Sequence, residues 1–337
     1  MASNLHVFDP AGDMTFILQS LVKKPRKSSS LLHHPRKFVK VYMRVSSKRV
    51  MLASPVFKAM LKHSFVEGVT LRTTGKVEVP LPDDDPVVFG LLMDIVHGTK
   101  GKTLPPMNTL FLTKIAILVD KYRLQQYVAS HSDRWVDSLR GELPQTFNAD
   151  LMHWLCISWV FRRPIEFNLM TRIAERESLG QDLDTCSEAL HENLPIPQRI
   201  LVWLTLAKDS ILARRMKAIR NSFDVIGHYI DVLQISKPRC TSGRSESHRY
   251  TCNNVLLGSL LEGSARLGLW PAPDPPYKDL NFKFVVHEIM QINVVSFCSK
   301  MGYTNQPTGS HGVKAEIGSA LVKLKTRFSG LNLKDFD

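Results

Sequence analysis

The amino-acid sequence predicts an α+β fold, in which a small mixed sheet covered by helices is followed by an all-α region. Two observations support this prediction. Three short segments between residues 14 and 81 have the apolar runs or the alternating side chains that are typical of strands. Past Pro144 the apolar residues recur at helical spacing instead.

The predicted sheet has three strands. Met14–Leu18 is a short apolar run that follows the turn residues Gly12 and Asp13. Phe38–Val45 places valine or methionine at every second position, and Lys76–Leu81 repeats that alternation.

Three helix starts are indicated by residues that satisfy free backbone N–H groups. Ser54 precedes Pro55, and Asp85 precedes Pro86, so each pair combines a capping side chain with a proline suited to the first helical position. Asn108 is the third predicted cap. We therefore interpret the acidic run 83–85 as helix capping rather than as a metal or paired-carboxylate site.

The chain divides into four predicted regions. Helical patterns start near Asp150, Pro164 and Pro197, and the polar stretch from Lys237 to Thr251 is typical of a loop. The cationic residues of 214–220 have helical spacing and are expected to line a solvent-facing surface. The predicted regions are an α+β domain at 10–140, a helical region at 145–236, a loop or linker at 237–252 and a small helical region with a weakly patterned tail at 253–337.

Several phrases of the first region together resemble a BTB/POZ domain of the fungal type. They are FVKVYMRVSSKRVMLASPVFKAML, LPDDDPVVFGLLMDIVHG and LTKIAILVDKYRLQQYV. The resemblance implies a protein-interaction module without catalysis, which either self-associates or acts as the substrate adaptor of a cullin-RING ubiquitin ligase. A homodimer paired through an N-terminal strand is one implied state, and Met14–Leu18 would form that strand unless it closes the sheet of a monomer.

The resemblance also implies a place for partner binding. In adaptors of this family a cullin contacts the helix that starts at Ser-Pro and a hydrophobic-x-acidic motif in the loop after it. Phe65-Val66-Glu67 falls at that place in this chain. The alternative is that Phe65 packs beneath its own loop while Glu67 is solvated. The candidate protein-binding residues are Val56, Phe57, Met60, Phe65 and Glu67.

Net charge is +13, and the positive charge is concentrated near the N-terminus. No Asp or Glu lies between Asp13 and Glu67. A solvated loop, a nuclear-import signal and a contact with nucleic acid or an acidic protein are three interpretations of this basic segment. A nuclear factor that uses residues 23–49 is the alternative function, ranked lower because no nucleic-acid-binding motif accompanies the charge. The candidate basic patch comprises Lys23, Lys24, Arg26, Lys27, Arg36 and Lys37.

Motifs for catalysis and metal binding are weak in this sequence. We find no nucleophile elbow, phosphate-binding glycine loop or zincin helix, and therefore expect neither enzymatic activity nor a cofactor. Cys240, His248 and Cys252 would bind zinc only if a fourth ligand such as His228 came near, and they lack the paired short spacing of strong zinc motifs. We expect free thiols in a polar loop, and no metal.

Cysteine usage and the N-terminus favour an intracellular protein, cytoplasmic or nuclear. The five cysteines are odd in number and widely scattered, which suits a reducing compartment. The first residues lack the pattern of a signal peptide, and the apolar run at 151–161 is too short to span a bilayer, so no membrane association is expected.

Overall fold

The computed structural model describes residues 4–21, 38–62, 65–99, 105–179, 194, 196, 210–242, 244–302 and 309–336. These residues form an α+β protein with one four-stranded sheet. The strands are β1 (Leu5–Val7), β2 (Met14–Leu21), β3 (Phe38–Val45) and β4 (Val77–Leu81). Among the described residues, no helix has both the length and the apolar character that crossing a bilayer requires.

Thirteen α-helices are present in the described part of the chain. The first six are α1 (Ser47–Ala53), α2 (Pro55–Lys62), α3 (Val66–Thr74), α4 (Pro86–His97), α5 (Thr109–Tyr122) and α6 (Gln125–Ser138). The next four are α7 (Ala149–Val160), α8 (Pro164–Glu177), α9 (Ile211–Ile235) and α10 (Glu246–Arg266). The last three are α11 (Phe282–Gln291), α12 (Phe297–Lys300) and α13 (Val313–Lys325). Short 3-10 helices follow at Arg140–Glu142 and Leu333–Phe336.

The described residues form two compact units. The described residues within 4–143 and 153–163, with residue 194, belong to unit 1, and those within 144–152, 164–179 and 210–336, with residue 196, belong to unit 2. The sheet belongs to unit 1, whereas the regular structure described in unit 2 is helical.

The sheet has the strand order β1-β3-β2-β4. β2 is antiparallel to β3 and parallel to β4, so Met14 lies opposite both Val45 and Val77. The short strand β1, which sequence patterning missed, runs parallel to β3. Because successive side chains point to opposite faces, Phe16, Met43 and the other inward residues form one buried face.

Four aromatic rings form the centre of the unit 1 core. Phe16 lies 5.1 Å from Phe57 and 4.8 Å from Phe89, measured between ring centroids. Tyr122 stacks on Phe57 at 4.5 Å. These rings come from β2, α2, α4 and α5, so their burial joins the sheet to three of its covering helices.

The core of unit 2 is formed by α9, α10, α11 and α13, which contribute large aliphatic and aromatic side chains. One prediction about α9 is wrong. The cationic residues of 214–220 were expected to line a solvent-facing surface, but Arg215 does not face solvent. Its side chain is completely buried and donates hydrogen bonds to the carbonyl oxygens of Ser178, Tyr277 and Leu280. A guanidinium group tolerates burial here because it binds several carbonyl groups at once.

Two further features of unit 2 differ from the sequence predictions. The predicted loop at 237–252 instead contains the start of α10, which begins at Glu246 after the N-cap Ser245. The weakly patterned tail includes α13, a helix of 13 residues.

Candidate functional site

The Phe65-Val66-Glu67 motif lies at the start of a helix and not in a loop, which corrects the prediction. Phe65 is the N-cap residue of α3 in an extended conformation, and Glu67 is in the first helical turn. A negative charge in this turn is favourable because it faces the partly positive end of the helix dipole. The helix ends at Gly75, whose φ of 72° is the left-handed conformation common after helices.

The motif exposes apolar side chains to solvent. Phe65 is 58% exposed, Val66 is 77% exposed and Val69 is 42% exposed. Phe65 and Val69 are four residues apart, so they share one side of α3. We call these three residues the α3 patch. The alternative interpretation, in which Phe65 packs beneath its own loop, is wrong.

The helix before this patch contributes less than predicted. Phe57 is completely buried in the aromatic core, so it is removed from the candidate binding surface. Val56 and Met60 are only partly buried and lie four residues apart on α2. Helices α2 and α3 pack against each other, and Arg72 on α3 donates a hydrogen bond to the carbonyl of Lys62.

A groove lies beside the α3 patch. Val66, Glu67 and Thr70 line one side, and the other lining residues include Arg44 and Glu78. The exposed residues Arg44 and Glu78 lie on the face of the sheet opposite the buried core, so the groove combines apolar residues with charges of both signs.

Ser54 fixes the position of α2. Its hydroxyl accepts a hydrogen bond from the backbone N–H of Phe57, which confirms its predicted capping role. The same hydroxyl donates to the carbonyl oxygen of Tyr122 at the end of α5. Because Ser54 is completely buried, this pair of bonds holds α2 against α5 without leaving a polar group unpaired.

The acidic run before α4 performs two structural tasks. Asp85 accepts hydrogen bonds from the N–H groups of Val87 and Val88, which confirms the predicted cap. Asp84 is buried and binds the hydroxyl of Tyr122 and the ammonium group of Lys121. Burial and the Asp84 carboxylate raise the pKa of Tyr122, which keeps its hydroxyl protonated as a donor.

His97 connects α4 to the start of α1. Its Nε2 accepts a hydrogen bond from the backbone N–H of Ser46, and its Nδ1 lies 2.9 Å from the carbonyl oxygen of Met93. This arrangement requires a neutral imidazole, because Nε2 accepts only when it carries no proton. Burial is the largest effect on this residue and lowers its pKa.

Met14–Leu18, the segment that would pair two subunits, lies inside the sheet of its own chain. β2 lies between β3 and β4, so it closes the sheet within one molecule. A homodimer that exchanges Met14–Leu18 would have to break both pairings. Self-association through another surface stays a prediction.

The six residues of the candidate basic patch lie outside the described residues. The four described basic residues of the window 23–49 are exposed: Lys40, Arg44, Lys48 and Arg49. The alternative function in nucleic-acid contact therefore stays a prediction.

Unit 2 contains a cluster of cysteine and histidine side chains that the sequence did not predict. Cys240, Cys252, Cys298 and His311 place their Sγ and imidazole nitrogen atoms within 4.8 Å of one another. We call these four residues the Cys3His cluster. The three thiols are buried, so the expectation of free thiols in a polar loop is wrong about their surroundings. Cys298 and His311 were missed because they lie far along the chain from Cys240.

The cluster also affects the acid-base properties of its members. Burial, followed by the neighbouring thiols of Cys240 and Cys252, raises the pKa of Cys298 to about 12. Burial, followed by the charge of His248, lowers the pKa of His311. His248, a predicted ligand, places its Nε2 3.2 Å from the Sγ of Cys298. His228 instead packs against the ring of Tyr229 and is not a member.

The two sites therefore differ in what they offer. The α3 patch presents exposed apolar surface, whereas the Cys3His cluster presents four potential metal ligands in a buried setting. Comparison of the chain with family profiles, with curated proteins and with solved structures found no match.

Proposed function

We propose that this chain is a non-catalytic protein-interaction protein, built on a BTB/POZ-type domain that unit 1 forms, and that the α3 patch binds its partner. The observation that carries the proposal is the exposure of Phe65, Val66 and Val69 together at the start of one helix. Contiguous exposed apolar residues commonly mark a protein-binding surface.

The α3 patch suits a partner that supplies apolar groups of its own. Phe65 is the largest member of the patch, and aromatic side chains are frequent among the residues that dominate binding energy. Arg44 and Glu78 in the adjacent groove would form the polar rim that surrounds such an anchor. Val56 and Met60 on α2 would extend the contact.

We propose a cullin as the partner, with the chain acting as a substrate adaptor of a ubiquitin ligase. The support is the order of elements that the resemblance implies: a helix starting at Ser54-Pro55, followed by a hydrophobic-x-acidic motif. In this chain the motif forms the first turn of α3, where Phe65 and Val66 are exposed and Glu67 lines the groove.

A binding titration of the full chain with purified cullin tests the proposal. We expect Phe65→Ala to weaken the complex by roughly 30-fold or more, because an anchor residue contributes about 2 kcal/mol or more. Phe38→Ala is the matched control, since Phe38 is another exposed phenylalanine of unit 1 and starts β3. Circular dichroism of both variants reports whether the fold is retained.

The outcomes separate the two parts of the proposal. A folded wild-type chain that does not bind cullin at micromolar concentration would refute the adaptor role. Affinity purification from native cells then tests the wider proposal: a protein partner lost with Phe65→Ala and kept with Phe38→Ala supports it. Partners that are equally retained by both variants would show that the α3 patch is not the binding surface.

A further inference from the structure

The Cys3His cluster is assembled from four separate segments of unit 2. Cys240 lies in the loop after α9, and Cys252 lies in the second turn of α10. Cys298 is on the short helix α12, and His311 precedes α13. The three thiols form a small buried cluster of their own, with Phe297 packed against it.

The distances between the potential ligand atoms are those of a tetrahedral metal site. The Sγ atom of Cys298 is 3.6 Å from those of Cys240 and Cys252, and the Sγ of Cys252 is 3.2 Å from the Nε2 of His311. With Zn–S near 2.3 Å and Zn–N near 2.0 Å, the edges of a tetrahedron would be about 3.8 Å between sulfurs and about 3.6 Å between sulfur and nitrogen. These three separations need shifts of only a few tenths of an ångström, and the other pairs of ligand atoms lie within 4.8 Å of each other.

We propose that Cys240, Cys252, Cys298 and His311 bind one zinc ion as a structural site. Three thiolates and one imidazole form a closed set of four protein ligands, which is the arrangement of structural rather than catalytic zinc. Soft thiolate ligands in tetrahedral geometry favour zinc over magnesium or calcium, which prefer oxygen. This proposal is independent of the proposed function of unit 1.

The surroundings hold the four ligands in place. Asn253, next to Cys252, donates a hydrogen bond to the carbonyl of Leu233 at the end of α9 and accepts one from the backbone N–H of Arg239. Arg239 in turn forms two hydrogen bonds with the carboxylate of Glu316 on α13. The loop that carries Cys240 is thereby tied to α10 and α13.

The two remaining ligand segments are also constrained. The backbone N–H of Ser296 donates to the carbonyl of Gly309, which joins the start of α12 to the segment before His311. His311 has a φ of 47°, a left-handed conformation that a non-glycine residue keeps only when its surroundings determine it. Metal coordination would supply such a constraint.

His248 has a distinct place in this arrangement. Its Nε2 lies 3.2 Å from the Sγ of Cys298, within hydrogen-bonding distance of one ligand, but it is not among the four residues whose ligand atoms lie mutually close. We assign His248 as a positioning residue that supports the Cys298 thiolate. Groups in this outer shell typically change metal affinity by roughly 10- to 100-fold when removed.

A disulfide is the main competing use of these thiols. Cys298 is equally distant, at 3.6 Å, from Cys240 and from Cys252, so a bond to either would leave the third thiol unpaired. A disulfide would also require the sulfurs to approach to about 2.05 Å. A zinc ion would bind all three thiols at once, and it would also account for the imidazole of His311 beside them.

Metal analysis of the purified full chain tests the proposal. We expect about one zinc ion per chain, retained during dialysis against metal-free buffer. Cys298→Ser and His311→Ala should abolish this zinc. Cys156→Ser is the matched control, because Cys156 is a buried cysteine of unit 1 outside the cluster. His248→Ala should keep one zinc ion but bind it roughly 10- to 100-fold more weakly in competition with a chelator.

A second measurement can be made on the wild-type chain, so its result does not depend on whether a variant folds. When Co²⁺ replaces zinc in the wild-type chain, tetrahedral thiolate coordination should give intense visible absorption. Cys240→His keeps four ligands, and the loss of one thiolate should shift this absorption to shorter wavelength. A folded chain that binds neither Zn²⁺ nor Co²⁺ would overturn the proposal. A purified chain whose mass is lower by two hydrogen atoms, as one disulfide bond requires, would overturn it as well. Loss of zinc with His248→Ala but not with His311→Ala would overturn the assignment of the fourth ligand.

Discussion

Replacing Tyr122 by phenylalanine removes one hydroxyl group from a buried charged contact. Asp84 is 3% exposed, and its two carboxylate oxygens bind the Tyr122 hydroxyl and the Lys121 ammonium group, the latter at 2.6 Å. The aromatic ring of residue 122 would keep its stacking on Phe57 in the variant, because that contact does not involve the hydroxyl. The substitution therefore isolates one hydrogen bond.

The expected loss is that of a hydrogen bond to a charged group, about 1.5–3 kcal/mol in the free energy of unfolding. This loss corresponds to a roughly 10- to 150-fold change in the equilibrium constant for the structural opening that exposes buried amides. When the carboxylate is first made neutral by Asp84→Asn, Tyr122→Phe should cost only about 0.5–1.5 kcal/mol, the range for a hydrogen bond between uncharged groups.

Amide hydrogen exchange of the full chain is the appropriate assay, because two compact units need not unfold in a single step. The slowest amides of α5 should exchange roughly 10- to 150-fold faster in Tyr122→Phe than in the wild type. Tyr127→Phe, a hydroxyl deletion at a partly buried position on α6, should change these rates by about twofold or less. Equal exchange in Tyr122→Phe and the wild type would refute the reasoning.

Two further predictions concern a close backbone approach and a buried imidazole. Gly330 and Gly268 both have a φ of +66°, but only at Gly330 would a Cβ atom lie 2.4 Å from the carbonyl oxygen of Asn168. Gly330→Ala should therefore lower the unfolding free energy of unit 2 by about 1–3 kcal/mol more than Gly268→Ala, as measured by urea denaturation, and equal losses would contradict the clash. The pKa of His97 is lowered by burial, so the unfolded chain binds more protons than the folded chain once pH falls below about 6.5. The stability of unit 1 should fall as pH decreases through this value, and His97→Gln should flatten the dependence whereas His131→Gln should not. The same pH dependence in all three proteins would exclude His97 as its source.

Local signals correctly predicted where α2, α4 and α5 begin. Ser54, Asp85 and Asn108 were identified as caps from their neighbours in sequence, and each accepts the expected backbone hydrogen bond. Capping depends on residues two or three positions away, so the sequence window that shows the signal also contains its cause.

Helix α3 was missed for an equally local reason. It is a short helix with a glycine in its first turn and threonines near its end, and these residues have low helix propensity. Packing of α3 against α2 and β4 stabilises the helix in spite of its composition. The consequence for the candidate site is substantial, because the helix determines that Phe65 and Val69 share one exposed side.

Arg215 illustrates a different limit. Its helical spacing was recognised, but the side of α9 on which it lies was assigned to solvent because the neighbouring residues are cationic. Its hydrogen-bond partners are carbonyl groups 37 to 65 residues away in sequence. No local pattern identifies such acceptors, since every residue carries a carbonyl group.

The sequence by itself determined the α+β class, the three main strands and the caps that start α2, α4 and α5, because alternation and capping act over a few residues. Tertiary structure alone decided which candidates are accessible, burying Phe57 and exposing Phe65. It also decided that Cys240, Cys252, Cys298 and His311 meet, although 71 positions separate the first from the last. Burial and ligand geometry depend on how helices distant in sequence pack together, and that packing is a property of the whole core.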